Sequence, residues 1–534
     1  MQCSADYIDY KTTGYFSKIV TDYISAEPAL LPFYKYSPDI AGIHAAIDYR
    51  KNFPVDRQIL VQQLLEQYNN LPTSEALKHN ITALLSEDTF TVCTAHQPNI
   101  FTGHLYLVYK VVHAIKLAKE LKNHFPTKSF VPVFYMGSED ADLEELGHIF
   151  LNNEKLTWNT KQIGAVGRMK IDDQFLSLLS SVKGMLSVLP NGNDLIKILE
   201  DSYKKGSTLQ QATLILLNTL FASYGLVILI TDNPLLKKQM HAVFEDDLFN
   251  NRPFTEIQDT NKKLEQHYKG QAHPRLINLF YLKDDIRNRI EKHGNEFQIE
   301  GTTIRFSEAD LRTELFDHPE RFSPNVIIRG LFQEKILPNV AFIGGGGEIA
   351  YWLQTKKLFE LYNIPFPVLI MRNSFMLIEK KTKLLLDKLN LTTFDIFQDE
   401  IFLIKQIINQ ESTNDLSLEK QKKVLQNLYT SIQQQLSSID KSLHQHTEAL
   451  MTKNLNQLTA LEKKMFRAEK RKQTEKLNQL KKLQYYLFPT GELQERVENF
   501  LPYYARYGKQ FFKIIDEFSG TTEQQFCILK ISEE

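Results

Sequence analysis

The sequence predicts a doubly wound α/β core followed by an α-helical coiled coil. Three observations carry this reading. Between residues 91 and 371, short apolar runs of strand length alternate with helix-periodic stretches. Three of those runs give way directly to polar or glycine-rich residues, the place where a parallel sheet presents its carboxyl edge. From Leu416 to Leu487 the chain holds neither proline nor glycine and is dominated by Gln, Lys, Glu, Leu and Ser.

The elements follow in order. TVCTA (91–95) leads through a polar loop into the periodic helix LYLVYKVVHAIKLAKELK (105–122), and FVPVFYM (130–136) ends at Gly137 and an acidic stretch. Residues 146–172 have hairpin character and leave the parallel sheet. The run Leu214 to Ile230 is the most apolar, but it carries Asn218, Thr219, Ser223, Tyr224 and Gly225 and is too short to span a bilayer. It reads as a helix (208–224) stopped by Gly225 and then a buried strand, LVILI. Residues 252–324 read as an irregular insertion. VAFI (340–343), GGGG (344–347), a helix over 348–362 and FPVLIM (366–371) complete the core. Beyond it, Leu428, Ile432, Leu436, Ile439, Leu443, His446 and Leu450 form a heptad-like seam, and the phase shifts before Leu458, Leu461, Met465 and Ala468. Two helices folded back on each other explain the shift, with a turn between about Ser437 and Asn456. The expected domains are a core over 1–375 with insertions at about 146–206 and 252–324, a coiled coil over 376–487, and a segment 488–534 that returns to the core.

Composition bounds the function. The 534 residues carry 63 Lys+Arg against 64 Asp+Glu, which excludes nucleic-acid binding by bulk charge. Cys3, Cys93 and Cys527 are far apart and make no zinc spacing, so a disulfide-built secreted fold is out and a cytoplasmic location is expected. No targeting segment or membrane span is read. Cys93 lies in an apolar strand and reads as core rather than nucleophile. His444 and His446 are two apart on a helix and point to different faces, so they do not chelate. No HExxH or GxSxG occurs.

Three segments are placed to do chemistry. In the first, His96 and Gln97 follow a strand directly, Asn99 lies in the loop, and Thr102-Gly103 sits at the expected helix start, where free amides bind phosphate; the plainer role for Thr102 is an N-cap. The second, Gly137-Ser-Glu-Asp-Ala-Asp142, clusters Glu139, Asp140 and Asp142, which could hold Mg²⁺, bind an ammonium group or accept its proton. Asp140 is the first choice of base, its carboxylate neighbours raising its proton affinity. The plainer role is first-turn charge favoured by a helix dipole. The third is Gly344, Gly345, Gly346 and Gly347, which is neither a P-loop nor GxGxxG; four glycines are costly in chain entropy, which points to backbone approaching a ligand.

The blocks HQPNIFTGHLYLVYK (96–110), VPVFYMGSEDADLEE (131–145), INLFYLKDDIRNRIE (277–291), FSPNVIIRGLFQEKILPNVAFIGGGGEIAYW (322–352) and LFPTGELQERVENF (487–500) resemble the BshC family, the cysteine-adding enzymes of bacillithiol biosynthesis. The likeness runs in order over nearly the whole chain. Gly330 and Gly346 stand where proline is common, which implies looser loops. The resemblance implies a Rossmann-like core akin to class I aminoacyl-tRNA synthetases and nucleotidyltransferases, with a coiled coil that forms a homodimer. Thr102-Gly103-His104-Leu105 is similar to the opening of the HIGH signature, which Tyr106 to Tyr109 then replace, and no KMSKS-like loop is present.

The resemblance also implies the reaction: an amide between the carboxyl of cysteine and the amine of glucosaminyl-malate, after activation by ATP, with Mg²⁺ possible. On that reading His96, Asn99, Thr102, Gly103 and Gly344 to Gly347 hold nucleotide phosphates (ATP or ADP) or transition-state charge. Glu139, Asp140 and Asp142 serve the amine side, with Gln97 beside them. Arg329 and Arg372 take the malate carboxylates, the plainer role of either being a structural ion pair. The rival readings are another adenylate-forming or nucleotidyl-transferring enzyme, or a non-catalytic dimeric scaffold that binds a nucleotide.

Overall fold

The computed structural model describes residues 2–412, 414–440 and 442–532. The chain divides into two compact units: residues 3–377 together with 492–529, and residues 378–491 with the described terminal residues.

A parallel five-stranded sheet organises the first unit: β1 (Thr89–His96), β2 (Ser129–Met136), β3 (Val227–Ile230), β4 (Asn339–Gly344) and β5 (Val368–Met371), in the order β5-β4-β1-β2-β3. The strands are buried on both faces, so their sequences are continuous apolar runs rather than alternating ones. Chain order reverses between β1 and β4, which makes that crevice the topological switch point. Register pairs His96 with Met136, Met136 with Ile230, and Gly344 with Met371, so neighbouring strands end level. Helix α1 (Tyr106–His124) makes the crossover from β1 to β2 and buries residues on almost every side, including Lys110 and His113. Helices α2 (Val326–Ile336) and α3 (Gly346–Leu353) flank β4. One side of the sheet buries Val92, Ile343 and Ile370 against Ala114, Leu117 and Leu121 of α1 and Ile43 and Ile47 of the helix Ile40–Arg50. As the sequence suggests, Gly225 ends the helical stretch before β3 in the left-handed conformation, at φ 76°.

Two insertions leave the sheet. His148–Leu151 and Glu154–Thr157 form the expected hairpin. Residues 252–324 are more regular than expected. After the helix Arg252–Leu264 they build an antiparallel sheet in the order Arg305–Ser307, Glu296–Ile299, Ile286–His293, Leu279–Lys283, Phe322–Pro324. Its longest strand reads IRNRIEKH and is mostly half-buried, so charge hides the alternation that would have announced it.

In the second unit, α4 (Glu419–Ser437) and α5 (Ser442–Lys472) form an antiparallel pair, followed by α6 (Thr474–Leu487). Lys422 meets Glu462 at 2.8 Å, and Asn454 donates to the Tyr429 hydroxyl at 2.6 Å. The connection falls at residues 438–441, of which Lys441 lies outside the described residues. The seam from Leu428 to Leu450 is therefore not one helix: Ile439 sits in the connection and is 75% exposed.

His113 ties the returning tail of the first unit to its sheet. Its Nδ1 accepts from the Asn373 amide at 3.2 Å, so Nε2 carries the proton and donates to the Thr521 carbonyl at 2.7 Å. Burial drives its pKa from the ordinary 6.5 to about 4. The unfolded chain therefore takes up the proton first as pH falls. The stability His113 contributes is whole above pH 6.5 and is lost progressively toward pH 4. Urea midpoints measured from pH 7 to pH 4 should fall steeply for the wild type and less steeply for His113→Gln; parallel curves would exclude this residue as a source of the slope.

Candidate active site

A buried lysine organises the carboxyl edge. Lys110, 1% exposed, donates to the Ala95 carbonyl at 2.8 Å and forms an ion pair with Glu348. Glu348 in turn accepts from the Gly345 amide at 2.7 Å and so caps its own helix, α3. The glycine run thus turns from strand to helix: Gly344 closes β4, Gly345 is the N-cap, and Gly346 and Gly347 open α3. None of the four has a positive φ. At Gly344 and Gly345 the reason for glycine is space. A Cβ at Gly344 would meet the Phe342 ring at 2.8 Å, and one at Gly345 would reach Arg372 Nε and Glu348 Oε2 at 3.4 Å, whereas one at Gly347 would meet nothing within 4 Å. The amides of Gly346 and Gly347 have no intrahelical acceptor. The expected loosening at Gly330 and Gly346 does not apply to loops, since Gly330 lies within α2 and Gly346 is the first residue of α3, where proline is also well suited.

The loop after β1 is locked by its own chain. Phe101 and Thr102 have φ of 48° and 67°, in the left-handed region that non-glycine residues avoid. The Asn499 amide bonds the carbonyls of Phe101 and Gly103, and the Tyr203 hydroxyl accepts from the Phe101 amide at 2.9 Å. Gly103 is required by its own φ of 68° and by Asn99, whose side chain a Cβ would strike at 2.7 Å. Thr102 is not an N-cap: α1 starts at Tyr106. The side chains of Asn99 and Thr102 are buried, and Asn99 Oδ1 and Thr102 Oγ1 have no partner among the described residues. His96 faces the crevice with Nε2 3.3 Å from the Tyr106 hydroxyl. Burial, and then the cations Lys110, Arg329 and Arg372, hold its pKa well below 6.5, so the ring is neutral at pH 7.

The acidic segment splits into separate roles. Glu139 is buried and pairs with Lys237, which also lies 3.7 Å from Asp232; Arg168 holds Asp232 at 2.6 and 2.7 Å. Burial and then Asp232 raise the Glu139 pKa, against the pull of Lys237. Asp140 accepts from Gln97 at 3.0 Å and faces Arg287 at 3.5 Å and Arg329 at 3.8 Å. Burial alone would raise its pKa, but Arg329 and Arg287 outweigh that and hold the carboxyl below its ordinary value. The expected gain in proton affinity from flanking carboxylates is therefore corrected, because Asp140 looks at guanidinium groups rather than at its sequence neighbours. Asp142 is exposed and caps the short helix Leu143–Leu146, accepting from the Glu145 amide at 2.9 Å. The three carboxylates do not converge as Mg²⁺ ligands, and among the described residues no group of three His, Cys, Asp or Glu side chains does.

The two arginines separate as well. Arg329, on α2, lines the crevice beside His96, Gln97, Gly137 and Tyr351. Arg372 is 2% exposed and spends its fork on Glu495, at 2.9 and 2.7 Å; its Nη1 also donates to Ser374 Oγ at 2.9 Å. That is the structural pair, so its fork is not open to a malate carboxylate. Its Nε has no partner among the described residues and faces Gly345.

The structure adds Lys110, Glu348, Arg287 and Glu495, which the sequence reading passed over. Lys110 carried a signal, a lone cation inside the apolar face of LYLVYKVVHA. Glu348 follows the glycines directly. Arg287 and Glu495 sit in charge-rich stretches without one.

Strand order 3-2-1-4-5, with polar and charged groups gathered at the switch point, defines a Rossmann-like protein. The chain belongs to the BshC family: residues 1–373 match the bacillithiol biosynthesis BshC N-terminal Rossmann-like domain, and residues 375–531 match the BshC C-terminal coiled-coil domain. A relative from Flavobacterium johnsoniae is 38% identical over 98% of this chain and 99% of its own length. One from Flavobacterium psychrophilum is 39% identical over 98% and 99%, and one from Cytophaga hutchinsonii 37% over 93% of each. All three carry the description "Putative cysteine ligase BshC". No helix among the described residues is long and apolar enough to cross a membrane.

Removing one partner of a buried ion pair leaves the other charge uncompensated, at a cost of about 3–5 kcal/mol. With Arg372 and Glu495 exposed by 2% and 0%, Glu495→Gln should destabilise the protein by about that amount, read as a lower urea midpoint with an unchanged slope. A midpoint equal to wild type would show that the pair is not structural.

Proposed function

We propose that this protein is a cysteine ligase that joins the carboxyl of cysteine to the amine of glucosaminyl-malate, with ATP as activator. The observation that carries the reading is a crevice lined by His96, Gln97, Arg329 and Glu348, with two places suited to anions beside it. On one side are the amides of Gly346 and Gly347 and the unpartnered Nε of Arg372, suited to phosphate. On the other, Arg329 and Arg287 face one carboxylate between them, Asp140, and so attract the dicarboxylate of malate. The description of the relatives as cysteine ligases supports the same reading.

An amine does not displace hydroxide from a free carboxylate in water, so the carboxyl must be activated; that is the chemistry ATP supplies when bound. The protein's own residues do the rest. Arg329 and Arg287 hold the malate end, and Asp140 and Gln97 fix the direction of Arg329. The glucosamine amine attacks in its unprotonated form, and His96, which burial and the nearby cations keep neutral and weakly basic, serves as a hydrogen-bond donor to transition-state charge. Glu139, its pKa raised, stands behind Asp140 in the ion network with Lys237. The helical pair offers exposed Val424, Leu428 and Leu461 to a second copy, which makes the working form a homodimer. The free cysteines suit a reducing cytoplasm.

Purified protein incubated with cysteine, glucosaminyl-malate and ATP·Mg should yield the amide by mass spectrometry. His96→Gln should lower kcat by about 10²–10³, the cost of losing one donor to transition-state charge. Nucleotide binding without product, under any metal supplied, would instead favour the scaffold reading.

Gly347→Val is the cleaner probe of the phosphate site, because a Cβ there would meet no protein atom within 4 Å and the residue lies in the first turn of α3. It should weaken ATP binding by calorimetry and leave the melting temperature nearly unchanged. Unaltered binding would place the phosphates elsewhere.

A further inference from the structure

Helix His241–Phe249 buries a carboxylate that the proposed chemistry does not use. Asp247 is 0% exposed, and among the described residues no cation pairs with it. Isolated buried carboxylates are expensive, so a bare packing role does not account for it. Both its oxygens are spent on one residue: they accept the Asn278 backbone amide at 2.6 Å and the Asn278 side-chain amide at 2.9 Å.

Asn278, 1% exposed, immediately precedes the strand Leu279–Lys283. Its side-chain oxygen accepts from Asn325 Nδ2 at 3.1 Å, and its carbonyl accepts from the Asn325 amide at 2.9 Å. Asn325 is the N-cap of α2, its Oδ1 accepting from the Ile327 amide at 2.8 Å and its carbonyl from the Arg329 amide at 2.9 Å. Arg329 is therefore hydrogen-bonded, through its backbone, to the last link of this chain. The strand that begins beside Asn278 also sets Arg287: Leu282 is in register with Arg287, and Arg287 Nε donates to Ser323 Oγ at 3.3 Å. Two arginines from different elements thus meet Asp140 because both elements are fastened at the same three residues.

We propose that Asp247, Asn278 and Asn325 are positioning residues that hold Arg329 and Arg287 in one geometry for a dicarboxylate substrate. The proposal rests on the reading of those arginines as the malate-binding groups.

The test is Asn325→Asp in the full chain. Aspartate keeps the helix cap and the backbone bond to Asn278 but replaces the side-chain donor to Asn278 Oδ1 with an acceptor, so the side-chain half of the link is broken. Glucosaminyl-malate binding, measured by calorimetry, should weaken several-fold and at most about tenfold, the upper end of what one neutral hydrogen bond is worth. ATP binding and the urea midpoint should stay as in wild type. Asp247→Asn, which leaves only one of the two bonds to Asn278, should move the same affinity in the same direction. Arg329→Gln is the control and should weaken glucosaminyl-malate binding outright. If the control weakens binding and neither relay variant does, the positioning role is wrong. If the relay variants lower the midpoint and leave both affinities intact, the three residues only stabilise the fold. If the control itself is silent, the arginines do not bind the substrate, and the reading beneath the proposal falls with it.

Discussion

The candidate site depends on one constraint: the charge of Lys110 has to be compensated inside the protein. A lysine in the apolar body of α1 cannot reach water, so it takes the Ala95 carbonyl at the end of β1 and the Glu348 carboxylate in the first turn of α3. Those two contacts span the crevice where the strand order reverses. They determine where α3 begins, because Glu348 must stay within reach of both the lysine and the Gly345 amide. They also put a positive charge beside His96, which with burial keeps that ring neutral. The geometry of the crevice therefore follows from satisfying a charge placed on a helix, and Gly344 and Gly345 beside it supply room rather than unusual backbone angles.

Most of the fold was legible in the sequence. Buried parallel strands are apolar runs, and the turns between them carry glycine and polar residues, so β1, β2, β4 and the helices between them could be placed from TVCTA, FVPVFYM and VAFI. The antiparallel insertion was not legible, because Arg287, Asn288 and Arg289 break the alternation that would mark a strand. The phase shift reveals two helices, but the heptad spacing continues through Ile439, since it does not register a break that is polar and short.

The site was legible by location but less so by role. His96, Gln97, Gly345 to Gly347 and Arg329 do gather at one edge. What sequence could not show is which charge faces which. Asp140 lies between two carboxylates in the chain and between two guanidinium groups in space. Asp142, two residues on, only caps a turn. Arg372 looks like a free arginine after a strand until the tail brings Glu495 to it. Proton affinity depends on neighbours in space, and those come from far along the chain: Arg329 lies 189 positions from Asp140.

The first unit is discontinuous: residues 492–529 belong to it but are made after the whole helical segment 378–491. This imposes an order on synthesis. While the helical segment emerges from the ribosome, Arg372 has no Glu495, the left-handed turn at Phe101 and Thr102 has no Asn499, and His113 has no Thr521. Each is a group that the finished protein buries and that the incomplete chain must leave solvated. The crevice can therefore be completed only after residues 492–529 are released. A transcript cut short, or a ribosome stalled within the coiled coil, yields a chain that contains every residue of the proposed chemistry and yet lacks the contacts that hold them in place.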